Sequence, residues 1–226
     1  AERTNGDIYI GVVGPVRTEK STFIKKFMET LVIPNIQTNA MRERALDELP
    51  QSAAGKTIMT TEPKFIPEEA VTVDLGGGAS FNVRLIDCVG YIVPSSIGYI
   101  ENEQPRMVMT SWFDEEIPFN MAAEIGTQKV ITEHSTIGLV ITTDGLENAS
   151  KRFGYEKIRR MIEREKERYG WEFLFLGANM DAVQEAARFG IGADRAVRFE
   201  NDAQGVAVNY HVVSETVCRM RQAACP

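Results

Sequence analysis

The sequence has few of the residues that build metal centres and covalent frameworks. It contains three cysteines, Cys88, Cys218 and Cys225, and two histidines, His134 and His211. The cysteines are odd in number and lack metal-ligand spacing, so the sequence gives no grounds for a disulfide framework or a zinc site. No apolar run approaches the length needed to cross a bilayer, and the N-terminus carries neither an initiator Met nor a signal-like pattern. The chain reads as a soluble fragment of an intracellular protein. Basic charge is also scarce: 25 Lys and Arg stand against 32 Asp and Glu, a net charge of −7. That balance argues against a general nucleic-acid binder, which would carry a basic patch or stripe. Internal repeats and low-complexity tracts are missing too.

At 226 residues and 43% hydrophobic, the chain has enough apolar side chains for one good core or two small ones. Its charge is uneven. Residues 1–145 hold 12 Lys and Arg against 20 Asp and Glu, whereas residues 146–226 hold 13 against 12, so the chain changes character near Gly145.

The most informative stretch is Gly14-Pro15-Val16-Arg17-Thr18-Glu19-Lys20-Ser21. An apolar strand pattern, Ile8 to Val13, precedes it, and the opening of an amphipathic helix, Ser21 to Met28, follows. A loop in that context wraps its backbone N–H groups around a nucleotide β-phosphate, beginning at Gly14. Lys20 reaches the β- and γ-phosphates, and the Ser21 hydroxyl binds Mg²⁺. The departure is Glu19, where the pattern calls for glycine. A side chain there crowds a close backbone approach. Its carboxylate also repels phosphate by roughly 4 kcal/mol per pair of unit charges at 4 Å and an effective dielectric of about 20.

Further along, Leu31 to Gln51 is mixed in pattern, and with Thr57 to Pro63 it is expected to form a mobile region over the phosphate site. Ala70 to Asp74 and Phe81 to Ile86 alternate at period two around Gly76-Gly77-Gly78, which predicts a hairpin. The second strand ends in Asp87-Cys88-Val89-Gly90, an acid at the carboxyl end of a strand, where open α/β sheets place ligand-binding residues. Residues 91–118 read as loop. A helix is predicted over Met121 to His134, with Ala122, Ile125, Val130 and Ile131 facing the core, then a central strand over Ile137 to Ile141. Next come a helix with Tyr155, Ile158, Met161, Ile162 and Tyr169 on one face, a strand over Trp171 to Leu176, and a short helix from Ala182 to Phe189 capped by Asp181. A strand over Ala196 to Phe199 and a helical stripe from Val206 to Met220 finish the chain. The pattern predicts an α/β, three-layer fold of the P-loop NTPase kind, with a mostly parallel sheet, one antiparallel hairpin strand and helices on both faces.

Up to about Gly145 the sequence resembles the N-terminal ATPase domain of the stage IV sporulation protein A family. The resemblance is carried by long runs: GPVRTEKSTFIKKFMETLVIPNI from Gly14, ELPQSAAGKTIMTTEPKFIP from Glu48, VRLIDCVGY from Val83 and AAEIGTQKVITEHSTIGLVITTDG from Ala122. It implies an ATPase that uses ATP and Mg²⁺, with Lys20 on the phosphates and with Ser21 and Asp87 on the metal, the latter through water. It implies that Thr60 and Thr61 sense the γ-phosphate and position the attacking water, and that Gly14, Arg17, Thr18, Thr22 and Gly90 complete the nucleotide-contacting set. It further implies self-association into filaments or a coat layer in the mother-cell cytoplasm at the forespore surface, alongside spore-coat and membrane-anchoring proteins. Nucleic acid and a transmembrane segment have no part in that picture.

From Thr143 onward the sequence instead looks like the carboxyl half of a bacterial or phage von Willebrand factor A-like domain. The expected organisation is therefore a nucleotide-binding core over 1–145 and an α/β continuation over 146–226 that completes the same sheet. Asp144 of Thr-Asp-Gly matches one metal-binding position of that second family, but no D-x-S-x-S loop accompanies it. Gly177 to Asp181 lacks the lysine of a guanine-reading N-K-x-D sequence. Two alternatives to the ATPase stay open: a structural scaffold that lost nucleotide chemistry through Glu19, and a metal-dependent interaction domain.

Overall fold

The computed structural model describes residues 7–15, 20–50, 62–74, 80–90, 99–133, 138–143, 154–178 and 180–199. Strand β1 (Asp7–Val13) alternates between two apolar faces, Ile8, Ile10 and Val12 on one and Tyr9 and Val13 on the other. Helix α1 (Lys20–Phe27) buries Phe23, Ile24 and Phe27, then widens into a π turn at Met28–Val32 and tightens into a 3₁₀ turn at Ile33–Asn35. Helix α2 (Asn39–Asp47) is capped by Thr38, whose hydroxyl accepts from the Met41 N–H. The stretch expected to be mobile is thus packed over its first part: Val32, Ile33, Ile36 and Ala45 are buried in the main core. Spacing hid this, because three helix types with different periods follow one another. Residues 51–61 lie outside the described residues.

Strands β2 (Lys64–Asp74) and β3 (Ser80–Asp87) form the predicted antiparallel pair, with a register shift between Ile66 and Val71 that accommodates Pro67 on the sheet edge. Within the predicted loop 91–118, residues 99–118 contain two small hairpins, β4 (Ile100–Glu101) with β5 (Gln104–Pro105) and β6 (Met107–Val108) with β7 (Ile117–Pro118). Helix α3 (Phe119–Glu133), strand β8 (Gly138–Thr143), helix α4 (Tyr155–Tyr169), strand β9 (Glu172–Ala178), helix α5 (Ala182–Arg188) and strand β10 (Ala196–Phe199) complete the described elements. Asp181 caps α5 as expected, accepting from the Gln184 N–H at 3.0 Å. The predicted last helical stripe falls outside the described residues.

One sheet runs β10-β9-β8-β1-β3-β2, parallel throughout except for the β2 edge. Its main face is covered by α1 and the turns after it, packed on Val83, Leu85, Val140, Leu174 and Leu176. The opposite face, Ile86, Leu139, Phe173 and Phe175, packs against Ile162 of α4 and Ala182 and Ala186 of α5. The α/β class and helices on both faces are as the sequence implied.

Two helix faces differ from the reading of spacing. On α3 the buried residues are Phe119, Ala122, Ala123, Gly126 and Thr127, while Ile125 is only half-buried; the side chains of Val130 and Ile131 lie outside the described residues. On α4, Ile158 and Ile162 pack inward but Met161 and Tyr169 are exposed. Met161 lies a quarter turn off the buried line. After Tyr169, Gly170 takes a left-handed conformation with φ 65° and turns Trp171 into the core instead.

Candidate functional site

Neighbouring strands bring the site residues to one sheet edge. Val12 is in register with Asp87 of β3 on one side and Val140 of β8 on the other, so the strand ends leading to Gly14, Gly90 and Thr143 lie side by side. The order in which strands are added switches sides at β1, with β3 to one side and β8 to the other, the arrangement that in open α/β sheets leaves a crevice beyond the carboxyl ends of the strands. Lys20 and Ser21 open α1 at that end of the sheet, where a helix N-terminus directs backbone N–H groups and partial positive charge outward.

Two ionisable groups there are buried, Lys20 and Asp87, each 8% exposed. The Lys20 ammonium donates to the Pro15 carbonyl at 2.6 Å. Burial pushes the Asp87 carboxyl up to about 6, against the opposing pull of the Lys20 and Lys64 cations. Its neighbour Cys88 is pushed up to about 12 by burial and by the Asp87 charge. Two buried hydroxyls hold the backbone on either side. Thr142 of β8 donates to the Val13 carbonyl at 3.3 Å, immediately before Gly14, and Thr127 of α3 donates to the Val89 carbonyl at 3.2 Å, immediately before Gly90.

A family model described as "Stage IV sporulation protein A, ATPase domain" matches residues 1–215. The chain belongs to the stage IV sporulation protein A ATPase-domain family. Proteins named stage IV sporulation protein A are similar to it: one from Bacillus subtilis (strain 168) at 63% identity over 168 residues, 74% of this chain and 34% of the relative, and one from Bacillus anthracis at 58% over 176 residues, 78% and 36%. A third, from Clostridioides difficile (strain 630), is 54% identical over 164 residues, 72% of this chain and 33% of the relative. The chain spans about a third of the length of these curated relatives. The family match runs past Gly145, where the sequence reading changes to a second family, and continues to residue 215.

Of the residues singled out for nucleotide chemistry, the structure places Gly14, Lys20, Ser21, Asp87 and Gly90 at the one crevice, with Thr22 on the first turn of α1. Arg17, Thr18, Glu19, Thr60, Thr61 and Asp144 lie outside the described residues. Among the described residues no group of three or more His, Cys, Asp or Glu side chains is arranged to hold a metal ion, and no helix is long and apolar enough to cross a membrane. Thr127 and Thr142 escape sequence reasoning. Thr142 carries the signal that singles out Asp87, a polar residue closing an apolar strand. Thr127 shows only as a polar residue within a helix.

The donor set suits MgATP. A buried ammonium at a helix N-terminus suits a polyphosphate, and a hydroxyl together with a carboxylate offers the hard oxygen ligands Mg²⁺ prefers. A carboxyl raised to about 6 by burial is a group whose charge lacks full compensation, which a divalent cation would supply.

Proposed function

We propose that this domain is a Mg²⁺-dependent ATPase whose turnover drives assembly of a spore-coat base layer. The observation that carries the reading is the placement of Lys20, buried at the opening of α1, and Asp87, buried at the end of β3, at the carboxyl end of the neighbouring strands β1 and β3. On this reading Lys20 exchanges the Pro15 carbonyl for phosphate oxygens, Ser21 and Asp87 hold the metal, the latter through water, and Gly14, Arg17, Thr18, Thr22 and Gly90 contact the nucleotide. Thr60 and Thr61 position the attacking water. Bound Mg²⁺ neutralises charge that develops on the phosphoryl oxygens, and the protein contributes positioning and electrostatics. Self-association into filaments, spore-coat and membrane-anchor partners, and a mother-cell location at the forespore surface belong to the same proposal.

One feature favours a second reading. Glu19 replaces the glycine of the loop, and the Lys20 ammonium beside it is engaged by the Pro15 carbonyl; the domain would then be a scaffold that keeps the fold without nucleotide chemistry. Calorimetry with MgATP and MgGTP separates the two. The ATPase reading expects micromolar ATP binding by the native chain, lost in Lys20→Ala and tightened in Glu19→Gly. Binding that appears only in Glu19→Gly supports the scaffold, and absence of binding in both variants and the native chain ends the nucleotide reading.

A further inference from the structure

Helix α3 meets the residue before β2 and the turn after β3, and it does so through consecutive residues. Thr127 is 2% exposed among the small residues Ala122, Ala123 and Gly126, and its hydroxyl donates to the Val89 carbonyl at 3.2 Å. Valine has nearly the same shape and would pack there equally well, so the hydroxyl is the property to explain. A single neutral hydrogen bond adds only about 1 kcal/mol net; its direction matters more. Val89 and Gly90 share one planar trans peptide, in which the Val89 carbonyl and the Gly90 N–H point opposite ways. Fixing the carbonyl on α3 therefore fixes the Gly90 N–H facing away from α3.

Gly126 does the complementary work by having no side chain. A Cβ added there would lie 2.8 Å from the Trp112 ring and 3.0 Å from Pro63, so the bare helix backbone is what seats both. Pro63 follows Thr61 by two residues in the chain. Glu62 between them binds the Ser111 backbone N–H and, at 3.0 Å, the Ser111 hydroxyl. Consecutive helical residues point about 100° apart, so one turn of α3 grips the start of β2 with Gly126 and the end of β3 with Thr127.

We propose that Thr127 is a positioning residue of the nucleotide site. The threonine orients the Asp87–Gly90 turn, and the glycine beside it seats Pro63 and Trp112 against the same helix turn. The inference rests on the ATPase reading of the site, and the test separates them by using two readouts. Steady-state ATP hydrolysis and ATP binding are compared for the native chain, Thr127→Val and Thr127→Ser. Hydrogen–deuterium exchange is followed without nucleotide in peptides covering 62–66, 86–90 and, as a reference, β9. Thr127→Val is expected to lower kcat about tenfold or more with ATP affinity changed by less than about threefold, while Thr127→Ser keeps both near native values. Exchange should quicken at 86–90 in Thr127→Val, and at 62–66 in Gly126→Ala, with β9 unaffected in both. Thr127→Ala replaces the valine variant if the latter does not fold. Exchange at 86–90 equal to native in the hydroxyl-free variant overturns the proposal, as does a loss of turnover matched by an equal loss of binding and faster exchange in β9. A native chain without ATPase activity removes the ATPase reading, and the exchange data alone then decide whether Thr127 orients the Gly90 turn.

Discussion

Lys20 and Asp87 are both charged side chains placed where water is largely excluded, and their energetics set how the site responds to pH. Asp87 has its carboxyl raised from 3.8 to about 6, chiefly by burial. The folded state therefore binds a proton that the unfolded chain has already released, and stability is full below about pH 4 and falls as pH rises through 6. Asp87→Asn removes that loss, so the variant should match the native chain near pH 4 and exceed it by up to about 3 kcal/mol above pH 7. Urea unfolding at pH 4.5 and pH 8 measures the difference; a gap that does not widen with pH contradicts the assignment. Cys88, with its thiol raised to about 12, should stay unmodified by thiol reagents at pH 8 until the chain is unfolded, as mass spectrometry would show. Glu19 stands out in the sequence as the odd residue of the phosphate loop, and Asp87 as the acid that closes an apolar strand. The burial of Lys20 and Asp87 and their mutual field were not readable there, because both depend on how β1, β3 and α1 meet.

At the scale of elements, the helices divide by how they earn their place against the sheet. Helix α1 uses large apolar side chains, α3 combines Phe119 with small residues and close backbone contact at Gly126, and α5 is short and depends on its ends. Asp181→Ala should destabilise the domain by about 1 kcal/mol through the lost cap on the Gln184 N–H, measurable as a lower urea midpoint with an unchanged slope. Between α4 and α5, Glu185 is 4% exposed and accepts from the Tyr155 hydroxyl at 2.6 Å and from Arg188 at 3.2 Å. Tyr155→Phe leaves a buried carboxylate one donor short and should cost about 1–3 kcal/mol, more than the cap. Equal effects from the two substitutions would mean that the buried acid is hydrated. Strands β3, β8, β9 and β10 and helices α3 to α5 were legible from apolar period and capping residues. The turns after α1 and the hairpins at residues 99–118 were not, since their hydrogen bonds follow no single repeat.

At the scale of the whole molecule, one parallel sheet spans the position where the charge balance shifts. Strand β8 pairs with β1 on one side and with β9 on the other, from Gly138–Glu172 to Thr143–Gly177. A chain ended at Gly145 loses β9 and with it Trp171, Phe173 and Phe175, which together with Ile162 build the second core. Such a truncation is expected to bind hydrophobic dyes and to melt without a cooperative transition. A sharp thermal transition by circular dichroism would instead show that residues 1–145 fold alone.

The order of strand, loop and helix, the apolar periods and the position of the acid at the end of β3 are local properties of the chain; they determined the α/β class and pointed to the candidate phosphate residues. Which side chains are buried, which carbonyls Thr127 and Thr142 hold, and how α3 joins the start of β2 to the end of β3 were decided only by tertiary packing. These contacts join residues far apart in sequence, through single hydrogen bonds and a missing Cβ that leave no periodic trace in the chain.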